Sequence, residues 1–122
     1  MLLIAVTLGA MLTACGSPAK PFLGKWNAYQ VSTNGSTIVF ENMAQLVKMD
    51  LNVTFYEDGT YVVHYYVNGQ EGSAYPQAGS YTVEGETLTL DGGGTGSIVN
   101  GELILSYSGA DGSVKQYYRK AN

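Results

Sequence analysis

The sequence has few of the side chains that perform catalysis or hold metal ions. Among its 122 residues there are one cysteine, one histidine and three prolines, and charged residues make up 13% of the chain. A single cysteine cannot form a disulfide within the chain. A zinc site needs three or four converging ligands, usually drawn from cysteine and histidine. We therefore expect no metal, no cofactor and a fold held together by its apolar core alone.

The residues that could perform catalysis are too scattered to suggest an enzyme. His64 is the only histidine, and no Gly-x-Ser-x-Gly turn is present for a serine nucleophile. The run from Asp91 to Gly96 is rich in glycine but lacks the Lys-Ser/Thr ending of a phosphate-binding loop. Half of the ten carboxylates lie in predicted turns, where they favour turn geometry and solubility: Glu57, Asp58, Glu84, Glu86 and Asp111. We expect no catalytic residue.

The charge and composition point to a small acidic β protein. The formal net charge is −4, so there is no electrostatic reason to bind a polyanionic nucleic acid. Ten tyrosines and 16 glycines are present. Aromatic and β-branched residues with frequent glycine are typical of many short strands joined by tight turns.

The first residues have the pattern of an export signal. Residues 1–14 carry no charged side chain, and the apolar run from Leu2 to Leu12 is shorter than the roughly 20 residues needed to span a bilayer. Its length suits the apolar part of a signal peptide, about 7–15 residues. The alternative is a buried strand or helix in which Cys15 is an ordinary apolar residue.

The segment Leu12-Thr13-Ala14-Cys15 resembles the lipobox of bacterial lipoprotein signal peptides. The resemblance implies that residues 1–14 are a signal peptide and that Cys15 carries the lipid, with palmitate among its acyl chains. The chain would then be exported and anchored to the bacterial cell membrane or the outer membrane. We predict that residues 15–22 are the lipidated cysteine and a short linker, and that residues 23–122 form one domain.

Alternation of apolar residues with period two predicts strands after residue 50. A three-residue loop, Glu57-Asp58-Gly59, pairs Phe55 with Tyr61 and Val53 with Val63 on one apolar face. A two-residue Asp58-Gly59 loop would instead bring Val62 and His64 to that face, since a slip of one residue exchanges the faces. We prefer the first register.

Three further hairpins place apolar residues on the same face. The Gly85-Glu86 turn pairs Val83 with Leu88 and Tyr81 with Leu90, and the Asn100-Gly101 turn pairs Ile98 with Leu103 and Gly96 with Leu105. A longer loop from Ser108 to Ser113 brings Tyr107 opposite Val114. Residues 41–48 read as a short helix, with Met43, Leu46 and Val47 on one face. The predicted fold is all-β, an antiparallel up-and-down barrel or strongly curled sheet of about eight short strands.

The domain resembles the small lipocalin-like domains of bacterial lipoproteins. The resemblance rests on Gly24-Lys25-Trp26, on the segments 55–61 and 79–88, and on the basic pair Arg119-Lys120 near the end of the chain. In that family a tryptophan of the first strand closes one end of the barrel and a basic residue of the last strand packs across it. The resemblance implies that Trp26 and Arg119 form this pair, although Trp26 could also be a core aromatic and no more.

Two functions remain open, and both take the chain to be a monomer. In the first, the barrel binds a small apolar or amphipathic ligand. The residues predicted to line the site all face inward: Val53, Phe55, Tyr61, Val63, Tyr65, Tyr81, Leu88, Leu103, Leu105 and Tyr107. In the second, the core is solid and the outer face binds an envelope protein or glycan, as an inhibitor or assembly factor would. The candidates there are Tyr56, Tyr66 and Tyr117.

Overall fold

The computed structural model describes residues 18–43, 46–109 and 112–121. The predicted signal peptide, residues 1–14, and the predicted lipidation site Cys15 lie outside these ranges. Within the part of the chain that the structure describes, no helix is long and apolar enough to cross a membrane.

Residues 18–43, 46–109 and 112–121 form ten strands, one short helix and one 3₁₀ turn. The 3₁₀ turn covers Lys20–Phe22 and the helix α1 covers Phe40–Met43. The strands are β1 Gly24–Thr33, β2 Ser36–Val39, β3 Met49–Phe55, β4 Thr60–Val67, β5 Gln70–Glu71, β6 Gln77–Glu84, β7 Thr87–Leu90, β8 Gly94–Val99, β9 Glu102–Gly109 and β10 Gly112–Lys120.

Eight of the strands close into an antiparallel barrel. Neighbours pair in the order β10, β9, β8, β7, β6, β4, β3, β1, and β1 also pairs with β10. Closure leaves no free edge on these eight strands, which removes the surface at which sheets aggregate. The two remaining strands extend the wall locally, β2 beside β1 and β5 beside β4. The predicted fold class is confirmed.

The registers predicted from the turns are confirmed. Phe55 pairs with Tyr61, Val83 with Leu88, Ile98 with Leu103 and Tyr107 with Val114. The glycine of the first turn, Gly59, has φ 88°, a conformation that glycine adopts without a steric penalty. Turn chemistry and the alternation of apolar residues therefore select the same inward face.

The core lies inside this barrel and is strongly aromatic. Its buried apolar residues are Phe22, Trp26, Leu51, Val53, Phe55, Tyr61, Tyr81, Leu88, Leu90, Leu103, Leu105 and Tyr118. The ring of Phe55 is central, since it contacts Tyr81 edge to face at 5.2 Å and Tyr61 at 6.0 Å between ring centroids. Aromatic pairs of this geometry stabilise the fold beyond their buried area, by about 0.5–1.5 kcal/mol each.

Two predicted boundaries are wrong. The helix predicted for residues 41–48 begins at Phe40 and is described only to Met43; Leu46 lies in a turn with 79% of its surface exposed. Leu46 of the predicted apolar face is therefore not packed, whereas Met43 and Val47 are partly buried. Phe22, assigned above to the linker, is 2% exposed and belongs to the packed domain, because the 3₁₀ turn folds it against the barrel.

Candidate functional site

The two ends of the barrel differ in how they are filled. One end, which we call the closed end, contains Phe22, Trp26, Phe55 and Tyr81, all buried. The other, which we call the tyrosine end, contains Tyr65, Tyr75 and Tyr107. Tyr61 begins near the β3–β4 turn, and its hydroxyl reaches Asp91 in the loop after β7. The antiparallel order places the β3–β4, β6–β7 and β8–β9 turns at the closed end and the loops after β1, β4, β7 and β9 at the tyrosine end.

The closed end is sealed by the segment that precedes β1. The indole Nε1 of Trp26 donates a buried hydrogen bond of 2.9 Å to the carbonyl oxygen of Phe22. A buried indole N–H needs such a partner, so this contact fixes both the ring and the 3₁₀ turn. The predicted position of Trp26 at one end of the barrel agrees with this arrangement.

The predicted partner of Trp26 is wrong. The ammonium group of Lys120 lies 4.7 Å from the centroid of the Trp26 ring and also donates a hydrogen bond to the carbonyl oxygen of Leu23. The Arg119 guanidinium instead lies 3.9 Å from the centroid of Tyr29 on the outer face. The reason is the register between β1 and β10, in which Trp26 opposes Lys120 and Asn27 opposes Arg119. Successive residues of a strand point to opposite faces.

The tyrosine end combines apolar rings with hydroxyl groups. The rings of Tyr65 and Tyr75 meet edge to face at 5.6 Å between centroids. The hydroxyl of Tyr61 donates a hydrogen bond of 3.3 Å to Asp91 Oδ1, and Asp91 Oδ2 accepts one of 3.2 Å from the hydroxyl of Ser80. Among the residues that the structure describes, none is hydrogen-bonded to the hydroxyl of Tyr107, which is half-buried.

Two glycines make room for these rings. A Cβ on Gly94 would lie 2.6 Å from Cε1 of Tyr107, and one on Gly79 would lie 2.7 Å from the hydroxyl of Tyr61. Such distances are shorter than van der Waals contact, so a side chain at either glycine would displace the ring. The glycine-rich segment around Gly94 is therefore part of the site, although its sequence showed only that it is not a phosphate-binding loop.

The hydroxyls of Tyr107 and Tyr118 stay uncharged at neutral pH. Burial raises the pKa of the Tyr107 hydroxyl to about 12, with smaller contributions from the hydroxyls of Tyr61 and Tyr75. Burial also raises the pKa of Tyr118 well above its ordinary value, and that hydroxyl donates to Gln116 Oε1 at 2.7 Å. Hydrogen bonds from the backbone and side chain of Ser80 hold the pKa of Asp91 below its usual range, so this carboxylate is charged.

The structure divides the predicted ligand-lining residues into two groups. Seven are buried in the core: Val53, Phe55, Tyr61, Tyr81, Leu88, Leu103 and Leu105. The others, Val63, Tyr65 and Tyr107, are only partly buried and pack against that core near the tyrosine end. The sequence did not single out Tyr75, which belongs to the loop before β6, nor Gln116 and Tyr118 on β10. The alternation of β10 could have indicated the last two.

The predicted surface tyrosines do not form one patch. Tyr56 is 47% exposed at the β3–β4 turn, while Tyr66 lies at the other end of β4 and stacks on His64 at 6.0 Å. Tyr117 lies on β10, which β1 and β3 separate from β4, and its ring is 6.3 Å from that of Tyr29. Each tyrosine therefore has its own neighbours, and the structure does not bring the three together as a single binding surface.

His64 lies on the outer face, as the preferred register requires. Its Nδ1 is 2.6 Å from Glu71 Oε2, which joins β4 to the two-residue strand β5. In the described ranges, no group of three or more His, Cys, Asp or Glu side chains is placed to hold a metal ion. The contacts of His64 make it a link between strands.

Comparison with known proteins supports the fold. No protein-family model and no curated protein sequence matches the chain. Among solved structures, fatty-acid-binding protein 1 of Echinococcus granulosus has a TM-score of 0.51 and 18% identity, covering 84% of this chain and 99% of that protein. A variant of the fluorescent protein UnaG has a TM-score of 0.50 and 14% identity, covering 84% and 98%. The chain is thus an antiparallel β-barrel similar in fold to these two proteins.

Proposed function

We propose that this chain is a binding module that takes one small apolar or amphipathic molecule at the tyrosine end of its barrel. The observation that carries the proposal is the half-buried hydroxyl of Tyr107, which lies on the inward face and has no hydrogen-bond partner among the described residues. Because this side chain is only partly buried, its hydroxyl can bond to water until a ligand covers it, and a covered hydroxyl without a partner costs about 1–3 kcal/mol. A ligand with a hydrogen-bonding end would supply it.

The surroundings of this hydroxyl suit a ligand with an apolar body. Val63 and Tyr65 lie on the same inward face and are only partly buried, so their apolar surface is available near this end of the barrel. Ligand sites typically combine such apolar walls with a few converging polar groups. The closed end, with Trp26 at 3% exposure, supports entry from the tyrosine end only.

The size of the ligand follows from the packing of the core. Val53, Leu88, Leu103 and Leu105 are each fully buried, so the middle of the barrel is filled by side chains. An eight-stranded barrel is about wide enough either to be filled by side chains or to hold one small ligand. We therefore propose a ligand held at the tyrosine end that does not pass through the whole barrel. The similarity in fold to a fatty-acid-binding protein is in keeping with this class of ligand.

We also propose that the module is exported and anchored through a lipid on Cys15. The support is the sequence pattern of residues 1–15. Because the packed domain begins by Phe22, few residues would separate the lipid from the barrel, and the domain would lie close to the membrane surface. Incorporation of labelled palmitate by the wild-type chain but not by Cys15→Ser is expected. Equal membrane binding of both chains would contradict the anchor and leave the barrel proposal unaffected.

Native mass spectrometry of the full chain, after incubation with a bacterial lipid extract, tests the binding proposal. We expect one small molecule bound per chain and a marked loss of that complex in Gly94→Val, whose side chain would push the Tyr107 ring into the site. The matched control Gly92→Val has its nearest neighbour, the Tyr61 hydroxyl, 3.8 Å from the added Cβ and should retain the ligand. A chain that captures nothing from the extract would contradict the proposal and favour a solid interaction module.

A further inference from the structure

The charges around the barrel restrict which polar end a ligand can have. Every basic side chain of the protein lies in the described ranges, and each is exposed: Lys20, Lys25, Lys48, Lys115, Arg119 and Lys120. Arg119 and Lys120 lie away from the tyrosine end, because Arg119 lies over Tyr29 on the outer face and Lys120 covers Trp26 at the closed end. In this part of the chain, no cation faces the interior at the tyrosine end.

The remaining basic residues are also turned away from the site. Lys48 precedes β3 in the outward phase of the strand, two residues before Asp50, while Leu51 and Val53 point inward. Lys115 opposes Ser106 on the outward face of β10 and β9. Lys20 and Lys25 flank the start of β1 at the closed end. A ligand anion inside the barrel would therefore be buried without a positive partner, which is strongly unfavourable.

The polar groups that do reach the tyrosine end are uncharged hydrogen-bonding groups and one carboxylate. The hydroxyls of Tyr107 and Tyr118 and the amide of Gln116 are neutral, while Asp91 accepts a hydrogen bond from Tyr61 at the rim. A second carboxylate brought close to Asp91 would be repelled, and solvent weakens this repulsion because Asp91 is exposed. The local field therefore opposes an anion.

We infer that the barrel selects an amphiphile whose polar end is uncharged, such as a hydroxyl or an ester, and rejects one that ends in an ionised carboxylate. This inference rests on the proposed function. The inferred ligand differs from that of a fatty-acid-binding protein, to which this chain is similar in fold only, at 18% identity. An uncharged oxygen can accept a hydrogen bond from Tyr107 without bringing an unpaired charge into the interior.

Three photoreactive probes of equal chain length test the inference on the full chain. Each carries a diazirine at the same carbon, and the ends are a primary alcohol, a carboxylic acid and the methyl ester of that acid. At pH 8 the acid is ionised. We expect the alcohol and the ester to label residues of the tyrosine end at least about tenfold more than the acid does. Labelled positions are mapped by mass spectrometry of peptides.

The variants separate hydrogen bonding from charge. Tyr107→Phe should reduce labelling by the alcohol about fivefold at a probe concentration below saturation, the effect of losing one hydrogen bond. Tyr29→Phe is the matched control, because the hydroxyl of Tyr29 lies on the outer face and donates a hydrogen bond to Glu102. In this variant, labelling of the tyrosine end by the alcohol should be unchanged.

The outcomes distinguish the two proposals. Labelling of the tyrosine end by the acid as strong as by the alcohol would overturn the preference for an uncharged end and leave the binding module in place. Labelling of that end by none of the three probes would overturn the binding module itself, and the inference with it. If the acid fails to label the tyrosine end and its methyl ester labels it, the inference is supported, because the two probes differ chiefly in charge.

Discussion

The ring of Tyr107 occupies the space beside Gly94 that any other residue's Cβ would need. The Cβ of an alanine there would lie 2.6 Å from Cε1 and 2.8 Å from Cδ1 of the ring. Gly94 begins β8 and Tyr107 lies near the end of β9, so the contact joins neighbouring strands at the tyrosine end. The position of one aromatic ring, and with it one polar group of the proposed site, depends on a glycine 13 residues earlier in the chain.

Gly94→Ala is expected to destabilise the protein by about 1–3 kcal/mol, since the rigid ring must move or the strand must shift. Urea unfolding measures the change. Gly92→Ala is the control, because its Cβ would have a neighbour no nearer than 3.8 Å. Equal stability of the two variants would show that the Tyr107 ring does not depend on Gly94.

Lys120→Ala should change the environment of the single tryptophan, whereas Arg119→Ala should not. Loss of the cation over the Trp26 ring and of its packing stem is expected to cost about 0.5–1 kcal/mol and to shift the fluorescence emission. Arg119 contacts Tyr29 and Glu102 instead. Emission spectra of both variants, with thermal unfolding, test this. A larger shift in Arg119→Ala would contradict the register between β1 and β10.

Stability should fall at alkaline pH through the inward tyrosines. The folded chain holds the Tyr107 proton up to a pKa of about 12, against an ordinary value of 10.0, so below pH 10 its full contribution to stability is present. Between about pH 10 and 12 the unfolded chain loses this proton first, and the free energy of unfolding decreases. Urea unfolding at a series of pH values measures the slope. In Tyr107→Phe the free energy of unfolding should fall less steeply with pH. An unchanged slope would show that Tyr107 does not cause the loss of stability at alkaline pH.

Glu71→Gln is expected to loosen β5 without unfolding the barrel. The carboxylate of Glu71 holds His64 at 2.6 Å, and β5 otherwise pairs with β4 through only two residues. Amide hydrogen exchange in residues 70–71 should become several-fold faster while exchange in β9 is unchanged. Glu86→Gln, in the exposed β6–β7 turn, is the control. Equal exchange in the two variants would show that the contact between Glu71 and His64 does not hold β5.

The hairpin registers could be read from the sequence because their determinants are local. Phe55 and Tyr61 are joined by a turn containing Gly59, and both the glycine and the alternation of apolar residues are visible within a few positions. The same holds for Ile98 and Leu103 around Asn100-Gly101. One shared apolar face predicts a barrel or a strongly curled sheet, and the pairing of β1 with β10 shows that the sheet closes.

The errors have long-range causes. Whether Lys120 or Arg119 reaches Trp26 depends on the register between the first and last strands, which contains an irregularity between Ala28 and Gln30 and is set by closure of the whole barrel. The place of Gly94 against Tyr107 likewise appears only when β8 and β9 are paired. Tyr75 lies in a loop, where no periodicity predicts what its ring contacts.

Methyl NMR of the full chain, titrated with a medium-chain fatty alcohol, tests the central claim most directly. We predict saturable shifts in the methyl groups of Val63 and Leu105, which lie on the inward face, and none in Val62 or Val99, which lie on the outward face. The shifts should saturate at one alcohol per chain. Shifts that do not saturate, or that appear only in Val62 and Val99, would contradict a binding site at the tyrosine end.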